Sequence, residues 1–168
     1  MLRPQDIVVL LDLVVSDSPS RKQQEIARAL GLSQGEVHNC LRRCAKAGLY
    51  DPESRQVMRH ALLEMLVHGL KYFMPAVLGG AARGVPTGWA APPLAAEIVS
   101  APEDRPVWPH PDGHARGPAL EPIYHSAPDA ALANPQLYEL LALVDAIRVG
   151  RARERKRAAQ ILTKRLAR

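Results

Sequence analysis

A stretch of twenty residues, 23–42, has a spacing of small and apolar side chains that few folds accommodate. Ala27 lies where two crossing helices would approach most closely, and Gly31 falls four residues later, in the turn between them. The apolar residues around this glycine would form the buried seam: Ile26, Leu30, Leu32, Val37 and Cys40. The spacing therefore predicts two short helices joined by a tight turn, the helix-turn-helix arrangement.

Two sequence signals mark where these helices begin. Ser20 with Gln23, and Ser33 with Glu36, match the pattern in which two side chains satisfy the first free amides of a helix. A preceding helix is predicted by Pro4 and the apolar residues that follow it. The apolar repeat of residues 58–73 predicts a further helix, which is either domain core or the start of a dimer interface.

The segment EIARALGLSQGEVHNCLRRCAKAGLY resembles the DNA-binding core of bacterial winged-helix transcriptional regulators, broadly of the MarR type. The resemblance covers roughly the first 75 residues. It implies that the second helix lies in the major groove of DNA and is followed by a short β wing. Leu49 and Tyr50, a turn at residues 51–54 and a return strand at 55–57 would form this wing.

The same resemblance assigns residues to the DNA interface. The solvent-facing positions of the second helix would meet base edges, since Gln and Asn pair with adenine and Arg with guanine. These positions are Ser33, Gln34, Gly35, His38, Asn39 and Arg42. Basic residues at its edges would meet phosphates: Arg21, Lys22, Arg43, Lys46 and, in the wing, Arg55. The alternative is a helical hairpin that only packs and whose charges form a solvated face.

The basic excess of the chain is concentrated at its end. The net charge of the 168 residues is +5, and residues 148–168 contain nine Lys or Arg against one Glu. Asn134, Pro135 and dense leucines predict a buried helix that Gly150 either breaks or bends, and a basic stretch with an apolar stripe follows. This tail either packs on the protein or a second subunit, or contacts DNA phosphates through Arg151, Arg153, Arg155 and Arg157, or lies on a membrane surface. The last is the weakest interpretation, because the apolar stripe lacks aromatic anchors.

The middle of the chain differs in kind from both ends. Twelve of the fifteen prolines and both tryptophans lie in residues 75–135, a density that excludes long helices and central strands. Its apolar content predicts an ordered, loop-rich segment, with a small hairpin or folded-back loop at Pro111-Asp112-Gly113. This segment either wraps the protein's own helices or presents a surface for a partner protein or ligand: Arg83, Thr87, Trp89 and Trp108.

Two kinds of chemistry receive little support. His110, Asp112, His114 and His125 lie close in sequence, but their spacing matches no strong metal-ligand pattern, so we expect no metal and no cofactor. Motifs of nucleotide hydrolases, serine hydrolases and zinc proteases are missing, and we expect no enzymatic activity. Cys40 and Cys44 are interpreted as core residues, with a redox switch as the alternative.

The sequence thus predicts a mainly α fold in three parts: a winged helix-turn-helix domain at 1–74, a Pro-rich, loop-rich segment at 75–134, and C-terminal helices at 135–168 that dimerise. The long apolar runs of membrane spans and the pattern of a secretory leader are not seen, so we expect a cytoplasmic protein. The predicted function is that of a homodimeric DNA-binding regulator, most simply a repressor, with double-stranded DNA as its partner. The alternative is an antitoxin-like or adaptor protein that binds a partner through the Pro-rich segment and uses DNA binding for autoregulation.

Overall fold

Three helices and a small wing form the N-terminal part of the computed structural model, which describes residues 1–167. The helices are α1 (Pro4–Ser16), α2 (Gln23–Leu30) and α3 (Gln34–Lys46), and the wing consists of β1 (Tyr50–Asp51) and β2 (Gln56–Val57). Pro4 occupies the first turn of α1, where its missing amide costs no hydrogen bond. Tyr50 pairs with Val57 and Asp51 with Gln56 in antiparallel register, so the predicted wing is confirmed.

One of the two predicted helix starts is confirmed and the other is wrong. Ser33 Oγ accepts a hydrogen bond from the Glu36 amide, as predicted for α3. The start of α2 does not involve Ser20, whose hydroxyl lies against Ser18. Instead the Glu25 carboxylate accepts from the Lys22 amide at 2.9 Å, because the helix begins two residues later than the Ser20 signal implies.

The helix after the wing is continuous but irregular. It runs as α4 (Arg59–Glu64), one π-helical turn (Met65–Gly69) and α5 (Leu70–Phe73). Leu62, Leu66 and Leu70 are fully buried, so this face is core rather than a free interface.

The Pro-rich segment is ordered around a small three-stranded barrel. Its strands are β3 (Leu78–Pro86), β4 (Val107–Pro109) and β5 (Ala115–Leu120), and three 3₁₀ turns at 88–90, 94–96 and 102–104 connect β3 to β4. Both β4 and β5 pair antiparallel with β3, on opposite edges. The predicted turn forms, with the Gly113 amide bonded to the His110 carbonyl, but a hairpin is wrong because β4 and β5 run parallel to each other.

Glycine makes this barrel possible. A Cβ atom at Gly84 would lie 1.8 Å from the Trp108 carbonyl oxygen, and one at Gly113 would lie 2.2 Å from the Gly84 carbonyl carbon. Backbones approach so closely here that no side chain fits between them. The glycines are therefore required by packing of the segment on itself, not by a partner.

Three helices complete the fold: α6 (Ala127–Ala133), α7 (Pro135–Val149) and α8 (Ala152–Leu166). Asn134 caps α7 by accepting from the amides of Gln136 and Leu137, and Gly150 separates α7 from α8, as predicted. α7 is central, since it contacts α1, α5, α6 and α8. One continuous hydrophobic core runs across the boundaries placed at residues 74 and 134 in the sequence.

A buried carboxylate joins the barrel to α7. Asp145 Oδ2 accepts hydrogen bonds from Thr87 Oγ1 and Trp108 Nε1, both at 2.7 Å, and Oδ1 accepts from Arg148 at 2.7 Å. Burial raises the pKa of Asp145, while Arg148 and the two donors lower it. All three partners donate, so the ionised carboxylate is the form that satisfies them.

Replacing Asp145 tests how much this junction stabilises. In Asp145→Ala, Arg148 would keep a nearly buried charge without its partner, and two donors would lose their acceptor. We expect the free energy of unfolding to fall by about 3–5 kcal/mol, measured by urea denaturation. The exposed Asp112→Ala is the control, with an expected change within about 0.5 kcal/mol. Equal losses in both variants would contradict the account.

Candidate DNA-binding surface

The second helix of the motif, α3, is fixed at its beginning by local hydrogen bonds. Gly31 takes the left-handed conformation (φ 63°) that ends α2 and turns the chain toward α3. Glu36 accepts from the Ser33 amide at 2.8 Å, and hydrogen bonds with Ser33 lower the pKa of the Glu36 carboxyl. The beginning of α3 is thus held in one orientation.

The C-terminal half of the chain supports the same turn. Ser126, directly before α6, donates its hydroxyl to the Leu30 carbonyl at 2.6 Å. A Cβ atom at Gly31 would lie 3.5 Å from the Ser126 Cβ, which is ordinary contact. Helix α6 therefore packs against the helix-turn-helix rather than lying apart from it.

The two faces of α3 differ sharply. Its buried face carries Val37, Cys40, Leu41 and Cys44 and packs into the core. Its opposite face is exposed and carries Gln34, Gly35, His38, Asn39, Arg42 and Lys46. On this face Arg42 donates to Asn39 at 3.3 Å, so the two polar side chains lie together. An exposed row of amide, imidazole and guanidinium groups has the donors and acceptors needed to read base edges in a major groove.

Residues 14–49 match a family model for winged helix-turn-helix DNA-binding domains. The matched residues run from the end of α1 to Leu49, and strands β1 and β2 follow directly with the geometry of a wing. The N-terminal part of the chain therefore has the winged helix-turn-helix arrangement, and residues 14–49 are similar to DNA-binding domains of this kind. No curated protein and no solved structure is significantly similar to the chain.

Arg43 does not belong to the predicted phosphate contacts. Its guanidinium donates twice to the fully buried Asp6 of α1, Nε to Oδ2 at 2.8 Å and Nη2 to Oδ1 at 2.5 Å. Breaking this pair to reach DNA would leave Asp6 charged inside the core. The prediction for Arg43 is corrected, and its function is to hold α3 against α1.

Arg21 is engaged in a similar way. It forms an ion pair with Asp12, whose carboxylate is 2% exposed. Burial raises the pKa of Asp12, and Arg21 opposes this shift. The Arg21 carbonyl also accepts from the wing residue Arg55 at 2.9 Å. Arg21 is therefore removed from the phosphate contacts, whereas Arg55 is exposed but turned back toward the loop before α2.

The remaining basic candidates are exposed. Lys22 lies just before α2, and Lys46 is in the last turn of α3 on the same face as Arg42. On α3 itself, the exposed Arg42 and Lys46 outnumber the one exposed acid, Glu36, so the helix keeps a small basic excess without Arg43.

The basic tail packs on the protein. Arg157 makes two hydrogen bonds to Glu97, and this guanidinium lowers the pKa of the Glu97 carboxyl. Arg165 forms an ion pair with Glu139 of α7. Arg157 is therefore a poor phosphate contact, while Arg151 and Arg153 are exposed and Arg155 is half-buried.

Three of the four residues predicted to meet a partner are buried. Thr87 and Trp108 have 0% and 1% exposure and bond to Asp145, and Trp89 donates its indole N–H to the Asp104 carbonyl. Thr87 and Trp108 join the barrel to α7, and Trp89 binds the connection between β3 and β4, so the assignment of these three residues to a partner surface is wrong. Arg83 is exposed and donates to the Pro111 carbonyl at 2.9 Å.

The histidines of the middle segment do not converge. His110 bonds to the Asp129 carboxylate at 2.8 Å and accepts from the Asp112 amide. His125 instead lies near Glu36, and its ring is in tilted contact with that of Tyr124. Within residues 1–167, no three His, Cys, Asp or Glu side chains come together as a metal site.

Sequence reasoning missed the acids that decide which arginines are free. Asp6 and Asp12 lie in the otherwise apolar stretch of α1, and this placement was a signal, because a buried carboxylate requires a cationic or hydrogen-bonding partner. Their partners lie 37 and 9 residues away, so the pairing itself had no local pattern.

Variants of two adjacent arginines of α3 distinguish a residue that stabilises the fold from one that is free on the surface. Arg43→Ala would leave Asp6 buried without its cation, and we expect the free energy of unfolding to fall by about 3 kcal/mol or more. Arg42→Ala changes an exposed side chain, and the expected change is within about 0.5 kcal/mol. Urea denaturation of both variants measures the difference. A similar loss in Arg42→Ala would show that the two faces of α3 are wrongly assigned.

The cysteines are predicted to be unreactive in the folded protein. Burial raises the pKa of both thiols, that of Cys44 to about 12, and the neighbouring Asp6 raises them further. Since the thiolate is the nucleophile, a raised pKa leaves almost none of it at pH 8. We expect slow reaction of native protein with Ellman's reagent, and reaction of both thiols in guanidinium. Rapid labelling of the native protein would restore the redox switch as a hypothesis.

None of the helices within residues 1–167 is long and apolar enough to cross a membrane.

Proposed function

We propose that the protein is a sequence-specific transcriptional regulator that reads the major groove with residues 33–47. The observation that carries the proposal is the exposed polar row on α3, which includes the basic residues Arg42 and Lys46. The row lies on the helix that inserts into the major groove in helix-turn-helix proteins. Asn39 and Arg42, paired on this face, are the side chains suited to adenine and guanine.

The proposal extends to a homodimer of the MarR type in the cytoplasm. Two copies would place two α3 helices in successive major grooves, about one DNA turn apart. Exposed apolar side chains support self-association: Tyr72, Phe73 and Val77 are 75%, 45% and 84% exposed near the end of α5. Repression is the simplest outcome of binding, because an occupied site excludes other proteins.

Binding rather than catalysis is proposed, and the adaptor function is not favoured. Three of its four predicted contact residues, Thr87, Trp89 and Trp108, are buried within the protein. Phosphate contacts by Arg151, Arg153 and Arg155 remain a prediction for the same DNA-binding function.

Binding to the DNA upstream of the protein's own gene tests the proposal. We expect the double variant His38→Ala, Arg42→Ala to lose at least about 10- to 100-fold in affinity for its specific site, since one good base contact, that of Arg42, alone contributes about 1–3 kcal/mol. Fluorescence anisotropy with labelled duplexes, at fixed salt, measures the loss. Binding to an unrelated duplex should weaken much less, because phosphate contacts are independent of sequence.

The matched control is His114→Ala, Arg116→Ala. Both residues are exposed, and they lie at β5 rather than on α3. This variant removes the same chemical groups and should bind the specific site within a few-fold of wild type. Equal affinities of both double variants for the specific site would contradict reading by α3.

A further inference from the structure

The loop that precedes α6 lies against the turn of the helix-turn-helix. Ser126 donates its hydroxyl to the Leu30 carbonyl at 2.6 Å, although the two residues are 96 positions apart in the chain. A Cβ atom at Gly31 would lie 3.5 Å from the Ser126 Cβ. The Tyr124 carbonyl accepts from the Ala127 amide at 2.9 Å, so the loop makes one tight turn at this contact. The residues of this turn are therefore held beside the start of α3.

Tyr124 and His125 lie along one flank of α3. The centroids of their rings are 4.2 Å apart. Hydrogen bonds with Ser33 lower the pKa of the Glu36 carboxyl, and the nearby His125 lowers it further. Burial raises the pKa of Tyr124, and the charge of Glu36 adds to this shift. Both rings are therefore close to Glu36, which is in the first turn of α3.

The His125 ring is exposed and is not engaged within the protein. His110, in the same half of the chain, bonds to the Asp129 carboxylate at 2.8 Å. By contrast, no hydrogen bond or ion pair among residues 1–167 involves the His125 side chain. An imidazole has an N–H donor whether it is neutral or protonated. His125 therefore presents a free hydrogen-bond donor to solvent beside the start of α3.

The width of the major groove decides what this donor can reach when α3 is inserted. An α-helix with its side chains is about 10–12 Å across, and the major groove is about 12 Å wide. The helix then fills the groove, and a loop that packs against its flank stays outside. The rim of the groove is the sugar-phosphate backbone. A donor on this flank therefore meets phosphate oxygens rather than base edges.

The helix-turn-helix supplies few phosphate contacts of its own. Arg21 and Arg43 are paired with buried acids, and the Arg55 guanidinium donates to the Arg21 carbonyl. The exposed Glu36 would repel phosphates on the flank where His125 lies. A donor at His125 thus acts where α3 itself presents an acid.

We propose that His125 is a DNA contact outside the winged helix-turn-helix, and that its imidazole donates to a phosphate beside the first turn of α3. This inference rests on the proposed function, because α3 must enter the groove for the contact to form. It gives the C-terminal half of the chain a direct part in DNA binding, besides its support of the turn through Ser126. Because phosphates carry no sequence information, His125 contributes affinity for any duplex.

Replacing His125 by alanine and by arginine tests the contact in two directions. His125→Ala removes the donor and should weaken binding about 3- to 10-fold, for the specific and for an unrelated duplex alike. His125→Arg provides a permanent cation and should strengthen binding of both duplexes. It should also steepen the fall of log affinity with log salt concentration by about one, for one further counterion released. Fluorescence anisotropy over a range of salt concentrations measures both effects.

The matched controls are His68→Ala and His68→Arg. His68 is exposed in the helix after the wing, which packs on α7 and α8. These variants have the same changes of side chain and charge, and both should bind the two duplexes within about twofold of wild type, because salt screens a charge that lies away from the DNA. Urea denaturation checks that all four variants are folded.

Ethylation interference locates the contact on the DNA. Ethylation removes the charge of a phosphate, and a contacted phosphate then weakens binding. We expect at least one phosphate that interferes with wild type and with His68→Ala to have no effect on His125→Ala. The inference is wrong if the same phosphates interfere with His125→Ala and with wild type, or if both His125 variants bind as the His68 variants do. A loss confined to the specific duplex would also contradict it, since a base contact is then affected.

The outcome is distinguishable from failure of the proposed function. If the double variant His38→Ala, Arg42→Ala loses the specific site while the His125 variants bind normally, the contact by His125 alone is wrong. Undiminished specific binding by that double variant would instead contradict reading by α3.

Discussion

The position of α3, the helix that we propose to read DNA, depends on a charge buried beneath it. Asp6 is fully buried on α1 and is held by two hydrogen bonds from Arg43 of α3 and one from the Arg3 amide. A buried carboxylate without these donors would be strongly unfavourable, so α1 and α3 have one satisfactory relative placement. The exposed row of α3 points away from the core because the opposite face is buried, and the Arg43–Asp6 pair adds to the contacts that hold it there.

The same constraint orders the rest of the molecule. α1 also packs on α7, α7 carries Asp145, and Asp145 holds Thr87 and Trp108 of the barrel. Ser126, directly before α6, donates its hydroxyl to the Leu30 carbonyl and so joins the C-terminal half of the chain to the turn between α2 and α3. The winged helix-turn-helix is therefore supported by the whole chain, and the Pro-rich segment packs on the protein's own helices, which was one of its two interpretations from sequence.

Signals within a few residues of each other were sufficient for much of this fold. The Ser33–Glu36 start of α3, the wing turn at 51–54, the Asn134 cap and the Gly150 break were predicted from local patterns and are present. The predicted start of α2 at Ser20 was wrong because the Glu25 carboxylate, in the first turn of α2, accepts a hydrogen bond from the Lys22 amide instead. The barrel was missed because its strands pair across a 3₁₀-rich connection, and proline density was interpreted as excluding a central strand.

The candidate site was predictable only in part, for the same reason. Which residues of α3 face solvent follows from helical periodicity, whereas which arginines are free depends on distant acids: Asp6 for Arg43 and Glu97 for Arg157. Long-range ion pairs have no signature in a single sequence.

Dimethyl sulfate protection of the bound upstream DNA tests most directly whether α3 reads the major groove, since the reagent methylates guanine N7 there. The account predicts protected guanines in two segments about one helical turn apart, with protection of at least one guanine lost in Arg42→Ala. Bound DNA in which every guanine N7 is methylated as in free DNA would contradict it.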